Sequence, residues 1–193
     1  IGRGSGMKRK IPEVLTTEEQ RVFLRTFNRK AQTGLRNHAM MRLRLDAGLR
    51  CGEVLNLRTR DIDWKTGKIH IHQGKGKKDR VVWLNDDALE VLRQWKAIKP
   101  ESDLLFTTLK GGKINDRYVR ALVERKAKQA GIEKDIHPHT LRHTFATDIY
   151  RESKNLRLVQ KALGHSSIKI TEIYTHIIDE ELERGMKYFR KIS

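Results

Sequence analysis

Apolar side chains recur at helical spacing along most of this chain, and polar caps mark where the helices begin. Thr16-x-x-Glu19 has the form of a capping box and predicts a helix to about Arg29, which Thr33-Gly34 is expected to break. A second helix is predicted over about Leu35 to Ala47, stopped by Gly48, and a short one runs from Arg50 through Leu57. The period then changes to two. Ile69-His-Ile-His72 and Val81-Val-Trp-Leu84 flank Gly74-Lys-Gly-Lys-Lys-Asp79, the pattern of a β-hairpin with a basic turn, and Asp61-Ile-Asp-Trp64 reads as a third strand or a turn. Asn85-Asp86 opens a helix with Ala88, Leu92 and Trp95 inward. Asn115 opens another to about Ala130, with Val119, Leu122, Val123 and Ala127 inward. Leu141, Phe145 and Ile149 form a further buried stripe. Asn155 to Leu163 makes about two turns ended by Gly164, and a last helix after Asp179 carries Leu182, Met186 and Phe189 on one face. The expected class is α/β (α+β), dominated by helices, with a small antiparallel sheet.

Composition narrows the partners more than the fold. In 193 residues, 37% hydrophobic and 34% charged, there is material for one ordinary globular domain. No apolar run reaches the length of a membrane span, and one cysteine, Cys51, rules out an internal disulfide and fits a reducing cytoplasm. The formal net charge is +17, with basic residues in excess in every quarter of the chain. Such a field attracts polyanions, nucleic acid above all. Residues 1–6, Ile-Gly-Arg-Gly-Ser-Gly, have no periodicity and read as a linker or an expression remnant.

Chemistry concentrates in two places. His139 and Arg142 lie three apart and share a helix face, followed by Gly164-His165-Ser166 and Thr171-x-x-Tyr174-Thr-His176. Far upstream, Arg50 sits at a helix start, where backbone N–H groups reinforce its charge, and Glu53 three residues later can orient it or merely pair with it. Lys75 between two glycines is either a solvated turn or a charge on a hinge reaching into a site. Gly74-Lys75-Gly76 precedes no helix, so a nucleotide-binding loop is not indicated. His137, His139 and His143 form H-x-H-x₃-H, but no cysteine or carboxylate closes a zinc set, and His143 reads better as a buried histidine. No cofactor and no metal is expected.

Taken in order, Ala47-Gly-Leu-Arg-Cys-Gly-Glu-Val-Leu55, Gln73-Gly-Lys-Gly-Lys-Lys-Asp-Arg80, H-x-x-R, L-G-H-S and T-x-x-Y-T-H resemble the signature motifs of the tyrosine recombinases, the phage-integrase and Xer-type site-specific DNA recombinases. The match runs from about Leu15 to Ile178; Gly52 stands where the family often has a small hydroxyl residue. The resemblance implies a catalytic domain over residues 7–178 and a C-terminal helix over 179–193 that can dock on a neighbouring protomer. It implies Arg50, Lys75, His139, Arg142, His165 and Tyr174 as catalytic residues, with Glu53 and His176 in support. Tyr174 would attack a DNA phosphodiester to leave a 3′-phosphotyrosyl link, Arg50 and Arg142 would bind the non-bridging oxygens, and Lys75 would protonate the leaving 5′-oxygen. The implied partners are double-stranded DNA carrying specific half-sites and, on DNA, further copies in a synaptic tetramer formed from free monomers. The implied setting is DNA in the cytoplasm. Other members carry a helical DNA-binding domain ahead of this one, so the chain is expected to be a fragment or a minimal single-domain member. A type IB topoisomerase would use nearly the same residues, and a non-catalytic DNA-binding module would explain the charge but not the ordered motifs.

Overall fold

The computed structural model describes residues 12–74, 78–164 and 169–189. Among them are eight α-helices and one two-stranded antiparallel sheet, the helix-dominated α+β class that the patterning predicts. Helix α1 (Thr17–Arg25) starts at the expected capping box, Thr16 and Glu19 each accepting the other's backbone N–H. It stops short of Arg29 because the Thr26 hydroxyl donates to the Phe23 carbonyl at 2.7 Å and the chain turns. Gly34 does not break the next helix. It lies inside α2 (Gln32–Ala47), where a Cβ would fall 2.0 Å from the Asn28 carbonyl oxygen, so glycine there makes room for the preceding turn.

Helix α3 (Cys51–Asn56) and a single 3-10 turn (Thr59–Asp61) lead into β1 (Lys68–Ile71) and β2 (Arg80–Trp83), paired from Lys68↔Trp83 to Ile71↔Arg80. The third strand considered at Asp61–Trp64 reduces to one bridge, Ile62↔Ile69. The Asp61 carboxylate accepts the Arg58 N–H and Asp63 accepts those of Lys65 and Thr66, local bonds that replace a ladder with turns. Helices α4 (Asp86–Ile98) and α5 (Asp116–Gln129) begin at Asn85 and Asn115, whose side chains accept the N–H groups of Ala88 and Tyr118.

Helix α6 (Pro138–Ser153) is the axis of the fold, packed against α2, α5, α7 (Leu156–Leu163) and α8 (Ile170–Tyr188). A stripe of three was expected, but burial is continuous from Thr140 to Thr147, as a helix crossed on several sides requires. Two apolar clusters meet along it. The larger runs from Leu15 to Leu141 and includes Phe23, Trp95 and Phe106; the smaller gathers Phe145, Ala146, Tyr150, Val159, Leu163, Ile173 and Ile177. The last helix begins at Ile170, not after Asp179, so Tyr174 and the stripe of Leu182, Met186 and Phe189 stand on one continuous element or at its end.

Candidate active site

Arg50 is the N-cap of α3, half-buried, with its backbone N–H donated to Glu53 Oε1 at 2.7 Å. The turn that delivers it needs Gly48: φ is +69°, and a Cβ would meet the Phe145 ring at 2.2 Å. Helix α6 supplies Arg142 from the other side, and this residue is 1% exposed, in the interior, whereas His139 one turn earlier is exposed. Its Nη1 donates to the Gly48 carbonyl and its Nη2 to Leu163 O at 2.6 Å, while Nε has no hydrogen-bond partner among the described residues. Arg142 thereby ties the turn before Arg50 to the end of α7, two residues before His165.

One buried carboxylate organises this neighbourhood. Glu53 Oε2 accepts Arg80 Nη1 and Gln73 Nε2, its Oε1 accepts Arg80 Nη2 at 2.8 Å, and Arg142 Nη1 stands 4.0 Å from Oε1. Burial alone would raise the Glu53 carboxyl, but Arg80, the Arg50 N–H and Gln73 hold it below its ordinary value. Burial first, and then the charges of Arg80 and Arg50, bring Arg142 down to about 9, which leaves it cationic at neutral pH. Cys51, next to Arg50, is pushed up to about 12 by burial and by a hydrogen bond with Asp116, so it is no thiolate nucleophile.

His139 is exposed at the start of α6, its ring edge-on to the buried His143 ring at 4.9 Å. Tyr174 and His176 lie on α8, but their side chains, like Lys75 and His165 altogether, fall outside the described residues. Gln73 and Arg80 bracket the Lys75 turn on either side. They open and close the Gln73–Arg80 motif, and neither is among the residues that the resemblance implies as catalytic. Arg80 had a signal: alternation in Arg80-Val-Val-Trp-Leu84 puts it on the same strand face as Val82 and Leu84, and all three are buried. An open cleft of about 950 Å³ extends from Arg50, lined among others by Arg58, His70, His72, Gln73 and Lys113. Arg50, Arg58, Arg60 and Lys113 line it together with the carboxylates Glu53, Asp61 and Asp103.

Comparison with known proteins agrees with the motif reading. A model of the phage integrase family matches residues 13–181. A tyrosine recombinase of Thermosipho africanus is 38% identical over 176 residues, covering 91% of this chain and 61% of that protein. Tyrosine recombinase XerC of Thermodesulfovibrio yellowstonii is 36% identical over 181 residues, covering 89% and 60%. The chain thus spans about three fifths of the length of the curated relatives it matches. Among solved structures, XerA recombinase superposes with a TM-score of 0.79 at 29% identity, covering 95% of this chain and 67% of that one. XerH, in a post-cleavage complex with palindromic difH substrate, gives 0.77 at 33% identity, covering 94% and 54%.

Proposed function

The chain belongs to the phage integrase family, and from that premise we propose that it is the catalytic part of a site-specific DNA recombinase that breaks and rejoins strands through a covalent phosphotyrosyl intermediate. The carrying observation is that Arg50, through its backbone N–H, and Arg142, from another helix, converge on one carboxylate beside an open cleft that also carries Arg58, Arg60 and Lys113, with the Tyr174 helix packed on the helix of Arg142. The likeness to XerH, seen after cleavage of its DNA substrate, supports the same reading.

In this scheme the Tyr174 phenolic oxygen attacks phosphorus in line. A phosphotyrosyl bond forms, the bond to the 5′-oxygen breaks, and Lys75 gives that oxygen its proton. Arg50 and Arg142 take the non-bridging oxygens, where planar guanidinium groups match phosphate geometry and charge builds in the transition state. Arg142 Nε, which has no hydrogen-bond partner among the described residues, is a donor suited to that task. His139 and His165 bond phosphate oxygens or share the tyrosine proton, and Glu53 and His176 support them. Religation is the reverse, with a 5′-hydroxyl attacking, so bond energy is conserved and neither metal nor ATP enters. Residues 7–178 form the catalytic unit. The C-terminal helix docks on a neighbouring copy in a synaptic tetramer assembled from monomers on cytoplasmic DNA, its outer residues Leu182, Met186 and Phe189 being exposed.

Half-site duplex selected by binding from a random pool, nicked so that the released fragment diffuses away, tests the scheme. The parent should yield a covalent protein–DNA adduct on a denaturing gel. Tyr174→Phe, which loses one oxygen, should yield none while binding the duplex within about twofold of the parent. Adduct from the Phe variant would mean that another residue is the nucleophile. Binding by the parent without any adduct would leave a DNA-binding module.

A further inference from the structure

Glu53 presents a question of charge allocation. An ionised carboxylate offers about four lone-pair positions, and four donors fill them: the Arg50 N–H and Arg80 Nη2 at Oε1, Arg80 Nη1 and Gln73 Nε2 at Oε2. Among the described residues, Arg142 at 4.0 Å is the next cation in line and is kept from direct bonding. The Glu53 and Arg80 side chains are 8% and 7% exposed, so water is a poor substitute for either partner. Arg80 also reaches further: its Nε donates to Ala162 O at 2.9 Å, and a Cβ at Gly164 would lie 3.1 Å from its Cδ. A single guanidinium thus joins α3, the start of β2 and the end of α7.

We infer that Arg80 is a positioning residue for strand cleavage: by saturating Glu53 it keeps the carboxylate from capturing Arg142, so that the charge of Arg142 remains available to the phosphate. Without Arg80, two acceptor positions on a buried carboxylate fall vacant and Arg142 needs to move only about 1 Å to fill one, given ordinary N–H···O distances. The arginine would then be neutralised by protein where it is needed by substrate. Substituting Glu53 as well removes the competitor and frees Arg142 again. This inference rests on the proposed role of Arg142 as a phosphate ligand.

The test compares single-turnover cleavage of the nicked half-site by the parent, Arg80→Met, and Arg80→Met combined with Glu53→Gln. Half-site affinity and melting temperature are measured for each, and rates are taken where circular dichroism finds every variant folded. Arg80→Met should lower the cleavage rate at saturating DNA on the order of 10²-fold, the loss typical of one misplaced transition-state donor. Adding Glu53→Gln should restore about tenfold or more of that rate. A scaffold role alone predicts lost stability with an unchanged rate in the folded fraction. Parental cleavage by Arg80→Met, or no recovery in the double variant, overturns the inference. Should Arg80→Met not fold, Arg80→Lys takes its place: slower cleavage relieved by Glu53→Gln supports the inference, and a parental rate or no relief overturns it. If the parent itself forms no adduct, it is the recombinase reading that fails.

Discussion

The two apolar clusters that meet on α6 do different jobs. The larger packs α1 to α5 with the hairpin and the first residues of α6, and it includes Trp95, whose indole N–H donates to Leu105 O at 2.8 Å. Arg50, Glu53 and Arg80 stand at its margin. The smaller consists of seven buried residues, and α8 contributes Ile173 and Ile177 to it, one before Tyr174 and three after. Burying one isoleucine is worth roughly 1.5–3 kcal/mol, and among the described residues α8 is further fastened by ion pairs of Glu180 with Arg151 and Glu181 with Lys154. Arg50 stands at the larger cluster and Arg142 between the two, while the proposed nucleophile rides on a helix whose described buried residues belong to the smaller one. Clusters of such different size can open separately.

Truncation on each side should expose this contrast. Trp95→Ala should cost about 3–5 kcal/mol, read as a lower denaturation midpoint for the whole domain. Ile177→Ala should cost about 2–4 kcal/mol, and hydrogen exchange should accelerate at the α8 amides before those of α2. Equal acceleration in both helices would mean that the clusters open as one unit.

Acidification should act on the two regions with opposite sign. His38, 5% exposed on α2, is held by burial and by the nearby Arg29 charge at about 4, below its ordinary 6.5. Neutral His38 is favoured in the folded state, so its contribution is complete above pH 6.5 and is lost as the pH falls toward 4. The loss is a few kcal/mol at most, and His38→Leu should flatten the stability profile in that window. Asp148 on α6 is raised above its usual 3.8, chiefly by burial, so its contribution is present below that value and is lost as the pH rises through its folded pKa. Asp148→Asn should remove that decline. Chemical denaturation across pH for both variants checks the signs.

The smallest effect on stability belongs to the outer end of α8. Leu182 and Met186 are 62% and 65% exposed, so replacing both with alanine should change the stability of the free domain by less than about 0.5 kcal/mol. Cooperative occupancy of paired half-sites should nevertheless fall much more than binding to a single half-site. A lowered melting temperature with intact cooperativity would place the stripe against its own domain.

What could be read from residue order was whatever local interactions decide. Thr16 with Glu19, Asn85, Asn115 and Asn155 mark helix starts because a cap is satisfied within three residues. The hairpin follows from alternation, and Gly48 from the need for a positive φ. The ordered motifs likewise placed the chain in its family. Gly34, expected as a helix break, instead lies inside α2 and serves close approach to Asn28, while of the strand or turn expected at Asp61–Trp64 the turn is formed, by local bonds of its carboxylates.

Beyond the grouping of Arg50, Glu53 and Arg142 that the resemblance implied, which side chains touch was not legible in residue order. Glu53 and Arg80 are 27 positions apart, Arg142 meets a carbonyl 94 residues upstream, and no periodicity encodes those distances. The fourfold saturation of Glu53 and the interior position of Arg142 come from α6 crossing between two apolar clusters. That packing leaves the Glu53 side chain 8% exposed at the edge of the cleft, and scarce water is what makes the choice of its ionic partner matter.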